Sequence, residues 1–424
     1  MAICPECNQE WDEYMRWCKS CYSKHFQNDF NKWTSGNDKI DKFIQHAQLN
    51  SNVYWEVIEW IPYDRFEDVK QIGRGGYGTV HYARWIDGPI YKRDERWIRN
   101  GDSDVVLKEF DNFVNLNDVL NEIVVSSIGF HGITQNPETH KYMIVLEYAA
   151  DGNLREYLKI NFNNINWKQK LYNLWYLSKS MMEIHRLDVI HQDFHPGNIL
   201  STDFTYSMMI SDFGLSELIG ANPNNPEKKN VFGVLPYIAP EVLSGGEEYT
   251  KAADVYSYGI IAYEMITGFP PYPDVPHDKD LAMKICNGLR PKIPFHTPKL
   301  ITRTIMRCWD ARVTHRPTFE ILYFELFKYY DYYRNYLERR KNKDSEIVIQ
   351  IKKAEEFSEN QELTNTPTTT PLNYQTHPQA IYTSRLLNYS NLPKPKNQEN
   401  FERELEELTK SMSDLCPSNS DLFV

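Results

Sequence analysis

No stretch of about 18 consecutive apolar residues occurs in the chain, so the sequence offers no candidate bilayer-spanning helix. The opening "MAICPECNQEW" has no basic-then-apolar order, so no secretory signal is expected, and the cytoplasm, or else the nucleus, is the expected location. Basic residues are in the minority: 47 Lys and Arg stand against 58 Asp and Glu, a formal charge of −11, which argues against a general nucleic-acid binder. An even set of cysteines is missing too. The seven, at 4, 7, 18, 21, 286, 308 and 416, do not suit a disulfide framework. No internal repeat is present. What remains is ordinary globular composition, 41% hydrophobic and 25% charged, over 424 residues, long enough for a large two-lobed domain with extensions.

A glycine-rich turn comes first among the motifs. "QIGRGGYGTV" sets Gly73, Gly75 and Gly78 in G-x-G-x-x-G order, followed by Thr79 and Val80. Such turns are common. A dinucleotide fold would need a helix directly after the glycines, whereas "TVHYARW" alternates like a strand. The turn therefore joins two strands, and its backbone N–H groups are open to phosphate oxygens. "SDVVLKEF" then supplies Lys108 on a strand, suited to the α- and β-phosphates of a nucleotide, and "DVLNEI" supplies Glu122 as its carboxylate partner. The intervening "IDGPIYKRDERWIRNGD", with Lys92, Arg93, Arg96 and Arg99, is expected to be a solvated loop.

The second cluster is "VIHQDFHPGNIL". His191, Asp193 and Asn198 fit H-x-D-x-x-x-x-N, in which Asp193 would take the proton of an acceptor hydroxyl and Asn198 would bind Mg²⁺. "ISDFGLS" adds Asp212, Phe213 and Gly214, with Asp212 as a second oxygen ligand for that hard cation.

In this order the motifs resemble the eukaryotic protein kinases over about residues 66 to 332, and most closely the tyrosine-kinase-like branch of fungal type. The resemblance implies an α+β, two-lobed fold with a small β-rich lobe, 66–147, and a larger helical lobe, 150–332. It implies ATP and Mg²⁺ as cofactors and a protein substrate. Nucleotide would lie against Ile72, Gly73, Arg74, Gly75, Gly76, Tyr77, Gly78, Thr79 and Val80, with Lys108, Asn198 and Asp212. A hinge at "LEYAADG" would have Leu146 as gatekeeper and the backbones of Glu147 and Ala149 facing adenine. The loop also resembles that of aminoglycoside and choline kinases, small-molecule phosphotransferases. Three later features favour a protein acceptor: Glu241 of "PYIAPEVL" with Arg316 of "HRPTF" as a buried ion pair, Asp254 of "AADVYSYG" anchoring the catalytic loop, and the distal "GFPPYPD" and "CWDARVTHRP" segments. Tyr237 favours Ser/Thr over Tyr acceptors, while His195 and Val234 stand where that class usually has Lys and Thr.

Two departures from the family pattern matter. Gln192 replaces the arginine that pairs with an activation-loop phosphate, and residues 217–236 hold no Ser, Thr or Tyr to receive one. Activity independent of activation-loop phosphorylation is therefore expected. In addition, the chain after Glu122 is about eight residues shorter than the pattern, roughly 12 Å of helix, and Ser126 falls where a bulky residue would pack on Phe213. A weak or inactive kinase serving as a nucleotide-binding scaffold is the alternative this raises.

Outside that region, Cys4, Cys7, Cys18 and Cys21 form C-x₂-C-x₁₀-C-x₂-C, a spacing that can wrap four thiolates about one Zn²⁺ within residues 1–25. His25 is not needed as a ligand. Residues 26–65 read as a linker with one amphipathic helix, Asp38 to Gln48, whose apolar positions are Ile40, Phe43, Ile44 and Ala47. Residues 333–424, charged and then rich in Thr and Pro, read as a largely disordered tail, with one exposed helix at 400–412. The cysteine segment or the tail is the expected contact for a protein partner.

Overall fold

The computed structural model describes residues 2–4, 6–11, 17–75, 78–93, 96–110, 129–212, 231–245, 249–363 and 376–413. Glu122, Ser126, Phe213, Gly214, Ser216, Gly76 and Tyr77 lie outside them. The chain forms two compact units, 1–149 and 150–424.

In the first unit, strands β1 (Ala2–Ile3) and β2 (Glu10–Trp11) pair beside helix α1 (Lys19–Asp29). Helix α2 (Asp38–Asn50) begins where the Asn37 side chain accepts the Lys39 N–H, a local cap for an otherwise unpaired donor. It buries Ile40, Ile44 and Gln48, one face at helical spacing, and runs two residues past the expected end. Strands β3 (Glu59–Trp60), β4 (Phe66–Gly75), β5 (Gly78–Trp85), β8 (Ser103–Phe110), β9 (Phe130–Gln135) and β10 (Tyr142–Glu147) form one sheet in the order β3-β9-β10-β8-β5-β4. Alternation along these strands separates two faces. Ala83, Val105, Leu107, Met143 and Val145 turn to a core with Ile61, Phe66 and Trp85. Each fully buried aliphatic side chain there stabilises the unit by about 1.5–3 kcal/mol.

The basic segment between β5 and β8 differs from expectation. It is a hairpin of β6 (Ile90–Arg93) and β7 (Arg96–Arg99), with Tyr91 opposite Ile98 and Lys92 opposite Trp97. Strand-favouring pairs, Ile90-Tyr91 and Trp97-Ile98, sit among the cations, and these outweigh charge as a guide to structure. Arg99 is bound, to Glu59 at 2.5 Å and to the Gly88 carbonyl at 3.0 Å.

The second unit is mostly helical. Strands β11 (Gly152–Asn153), β12 (Ile199–Ser201) and β13 (Met209–Ile210) make a small sheet, and β14 (Val231–Gly233) pairs elsewhere. The helices are α3 (Leu154–Asn161), α4 (Trp167–Arg186), α5 (Pro240–Leu243), α6 (Lys251–Thr267), α7 (Lys279–Cys286), α8 (Lys299–Cys308) and α9 (Phe319–Arg339). Thr250 caps α6, and Gly268 ends it in a left-handed conformation, φ 73°. Nearly every side chain of α6 from Ala253 to Thr267 is buried, which makes it the axis of this unit.

The tail departs most from expectation. Helix α10 (Glu346–Leu363) buries Ile347, Val348, Ile351 and Ala354, an apolar face inside a charged sequence. Residues 376–400 run along the second unit and contribute β15 (Arg385–Leu387), and α11 (Phe401–Ser413) buries Phe401. Composition points to disorder because the polar residues outnumber the anchors. The anchors are few but spaced to reach the domain. Residues 364–375, including the Thr and Pro run, lie outside the described residues.

Candidate active site

In the first unit, β4 and β5 form the expected glycine hairpin: Gly73 lies opposite Val80, Arg74 opposite Thr79, and Gly75 opposite Gly78. Ile72 is half-exposed. Lys108 on β8 lies opposite Val80 on β5 and opposite Ile144 on β10, while Val106 lies opposite Tyr82 and Leu146. Directly opposite residues share a face, so Val80, Lys108, Ile144 and Leu146 all lie on the face away from the core. Lys108 and Leu146 are buried there. The Glu147 N–H donates to the Gly129 carbonyl at 2.8 Å.

In the second unit, the loop after α4 holds the remaining expected residues. Asp254, on the first turn of α6 and 1% exposed, accepts the His191 N–H at 2.9 Å and the Gln192 N–H at 3.2 Å. Its Oδ2 also meets His185 Nε2 at 2.9 Å. Gln192, at φ 68°, holds a left-handed conformation that is uncommon for a non-glycine residue. His191 is buried and bonded on both nitrogens. Its Nδ1 accepts the Asp193 N–H at 3.3 Å, so Nε2 carries the proton and donates to the Ser211 carbonyl at 3.0 Å. Burial holds this imidazole below its ordinary pKa, against the pull of Asp254 and Asp193, and keeps it neutral.

Asn198 donates Nδ2 to the Asp193 carbonyl at 2.9 Å, which turns its Oδ1 into the acceptor end. The Ser211 N–H donates to the Asn198 carbonyl at 2.9 Å, so strands β12 and β13 bring Asp212 to the same end of the small sheet as Asn198. Asp212 is half-buried with φ 62°, a second left-handed residue in the same site. An amide oxygen and a carboxylate supplied from adjoining strand ends are a donor set that fits a hard, oxygen-loving cation.

Asp193 is buried, and burial pushes its carboxyl pKa up. The nearby His195 ring, with a hydrogen bond from Ser384, outweighs that and holds it below the ordinary carboxylate value. His195 Nδ1 accepts the Gly197 N–H at 3.0 Å, so the ring proton sits on Nε2, 3.6 Å from Asp193 Oδ1 and 2.9 Å from Ser384 Oγ. The Ser384 hydroxyl donates to Asp193 Oδ2 at 2.6 Å. Gly233 closes the other side, where a Cβ would lie 3.2 Å from Asp193 Oδ1. Sequence reasoning finds His195 only as a departure and passes over Gly233 and Ser384. No local motif marks Ser384, because it comes from a segment 191 positions away.

The other expected pair also forms. Arg316 donates from both terminal nitrogens to the two Glu241 oxygens at 2.7 Å, with its side chain fully buried, and also binds the Asp310 and Ala252 carbonyls at 2.8 and 2.9 Å. Tyr237 is buried, with its hydroxyl on Glu264 and accepting from Arg155.

In the amino-terminal segment the four Sγ atoms of Cys4, Cys7, Cys18 and Cys21 lie within 4.8 Å of one another. Cys4 and Cys21 are 3.7 Å apart, and Cys7 and Cys18 3.5 Å. A tetrahedron with metal–sulfur bonds of about 2.3 Å has an edge of about 3.8 Å. Trp17, Tyr22 and Val57 pack around the cluster, whereas His25 turns to Glu6 at 2.8 Å.

The description "protein tyrosine and serine/threonine kinase" fits residues 66–326, more than half of the chain. The chain belongs to that family and carries its domain, with a β-sheet lobe and a helical lobe. The tyrosine-protein kinase SPK-1 of Girardia tigrina is 31% identical over 280 residues, which is 64% of this chain and 54% of that protein. A Dictyostelium discoideum protein named as a probable serine/threonine-protein kinase is 29% identical over 286 residues, 67% of this chain and 19% of that one. The chain thus spans only about half, or less, of the length of these relatives. No helix among the described residues is long and apolar enough to cross a membrane.

Proposed function

We infer that the chain transfers the γ-phosphoryl group of ATP to serine or threonine hydroxyls of protein, as a member of the tyrosine-kinase-like branch. One observation carries this reading: Asp193, held ionised in a buried loop, has an aliphatic hydroxyl hydrogen-bonded to it. Asp193 orients the acceptor hydroxyl and takes its proton. Asn198 and Asp212 would hold Mg²⁺, which neutralises charge on the phosphates. Lys108 binds the nucleotide's phosphates, with Glu122 as its partner, and Leu146, Glu147 and Ala149 meet the base. His191 and Asp254 keep the loop in shape without touching substrate.

This activity does not wait on phosphorylation of the activation segment. Gln192 gives a phosphate no cation to pair with, and the buried Tyr237 hydroxyl is engaged by Glu264 and Arg155. The four amino-terminal cysteines hold one structural Zn²⁺, supported by sulfur spacings close to a tetrahedral edge.

The test offers Mg²⁺-ATP and a mixture of Ser, Thr and Tyr peptides to the full chain, and maps the labelled residue. Label on Ser or Thr that disappears in Lys108→Met is expected. Label on Tyr alone, or label indifferent to Lys108, contradicts the reading.

A further inference from the structure

The tail is fixed along the second unit on both sides of Ser384. Upstream, the His377 N–H donates to the Pro273 carbonyl at 2.8 Å, and the His277 N–H donates to the Gln379 carbonyl at 2.9 Å. His277 Nδ1 meets the Ile381 carbonyl at 2.9 Å. Arg155 donates to the Tyr382 carbonyl at 2.9 Å with its guanidinium over the Tyr382 ring, and the Tyr382 hydroxyl donates to the Pro271 carbonyl at 2.8 Å. Downstream, β15 pairs antiparallel with β14: Arg385 lies opposite Gly233, Leu386 opposite Phe232 and Leu387 opposite Val231. Leu387 is buried. Further on, Asn397 exchanges hydrogen bonds with Asp310 and the Ala311 N–H.

This is strand addition in cis: backbone pairing supplies the hold, and anchored side chains set the register. A slip of one residue would turn every side chain of the segment to the other face, so the anchors determine which residue meets Asp193. That residue is Ser384. The orientation of its hydroxyl is set by the ring tautomer of His195. With Nδ1 accepting from Gly197, Nε2–H donates to Ser384 Oγ, and the serine proton points at the Asp193 carboxylate, which can only accept. A tail that merely covered the site would need no hydroxyl there and no proton directed at the base.

We propose that the strand around Ser384 occupies the acceptor-peptide groove and that Ser384 is the acceptor of an intramolecular phosphoryl transfer. The inference rests on the kinase reading above. In the step, Asp193 takes the Ser384 proton, and the freed oxygen pair forms the bond to the γ-phosphorus of a nucleoside triphosphate. The bond from that phosphorus to the β–γ bridging oxygen breaks, and the diphosphate leaves with its electrons. The phosphoserine then faces Asp193 with about −1.5 to −2 charges, and like-charge repulsion drives the strand out. Before transfer, the strand excludes other acceptors. After transfer, the groove is open.

The test incubates full-length chain with Mg²⁺-ATP and tracks two readouts together: phosphate on Ser384 by mass spectrometry, and phosphate on an added serine peptide. Ser384 is expected to be labelled at a fractional rate unchanged over a hundredfold dilution of the enzyme, because the acceptor is in the same molecule. The added peptide is expected to be labelled after a lag that matches Ser384 labelling. Ser384→Glu, which places a carboxylate against Asp193, and Leu387→Asp, which removes an anchor, should both abolish the lag and raise the initial peptide rate about tenfold or more. Peptide labelling without lag and with Ser384 unmodified overturns the inference and leaves the kinase reading standing. Ser384 labelling that scales with enzyme concentration overturns the intramolecular assignment. Silence of wild type and both released variants on every acceptor overturns the kinase reading itself.

Discussion

The Asp254 carboxylate accepts two successive backbone N–H groups, those of His191 and Gln192, from one buried position on α6. The 191–193 loop therefore takes its shape from a buried charge on a neighbouring helix. Removing that charge releases Gln192 from its left-handed conformation and displaces Asp193. Displacement on the scale of an ångström lowers turnover by about 10²-fold. Asp254→Ala is expected to lower kcat by about that factor with KM for ATP nearly unchanged, as steady-state kinetics over a range of ATP will show.

Gly233 approaches Asp193 from the strand that receives the tail. Its φ of 140° is poorly suited to a side chain, and an added Cβ would crowd both Asp193 Oδ1 and Ile238 at 3.2 Å. Gly233→Ala should lower kcat by about 10²-fold through misplacement of the carboxylate. Nucleotide affinity, measured by equilibrium titration, should stay within about twofold, since the side chains a Cβ at Gly233 would meet, Asp193 and Ile238, are not among those proposed to hold phosphate.

The charge state of Asp193 depends on its neighbours. In the folded chain its carboxyl lies below the ordinary value because His195, and with it Ser384, outweighs burial. A depressed carboxyl contributes stability that is complete above the unfolded value of about 3.9 and is lost as pH falls through the folded one. Activity that needs the ionised form therefore keeps its acid limb below that range. His195→Ala leaves burial less opposed, and the acid limb of kcat/KM should move upward. A pH–rate profile unchanged in this variant would contradict the assignment.

Arg316 and Glu241 form a bidentate pair with both side chains buried. Removing one partner leaves the other charge buried, at a cost of about 3–5 kcal/mol. Arg316→Met should lower the unfolding free energy by that amount in urea titration, and Glu241→Gln added to it should recover part of the loss.

The cysteine cluster predicts one Zn²⁺ per chain by elemental analysis. Cys18→Ser should lower that content to near zero, and chelation should unfold the segment around Trp17, read by its fluorescence, because metal binding supplies the folding energy that so short a segment lacks.

Much of the arrangement is legible in the residues themselves. The glycine turn reads as a hairpin because the residues after Gly78 alternate, and β4 and β5 do pair across it. The spacing from Asn198 to Asp212 allows a strand pair, and β12 and β13 are that pair. The Glu241–Arg316 contact can be expected only by resemblance, since 75 positions separate the two. The charged segment before β8 is a hairpin and not a loop, and its charge conceals the strand-favouring Ile90, Tyr91, Trp97 and Ile98 that pair across it. The tail differs from its composition for a related reason. Ile347, Val348, Ile351 and Leu387 fall in short apolar runs flanked by polar and charged residues, and their burial depends on surfaces supplied elsewhere in the chain, for Leu387 the strand β14. Ser384 has no signal in the sequence at all, because only the folded register brings it to Asp193.

The most direct test of the account is the rate of γ-phosphoryl transfer from Mg²⁺-ATP by the full chain beside its Asp193→Asn variant, with nucleotide binding measured on both. Loss of a positioned base commonly costs 10²–10⁴-fold. The account predicts equal nucleotide binding and a transfer rate lower in the variant by about that range. Equal transfer by the two proteins, or none by either while both bind nucleotide, would contradict it.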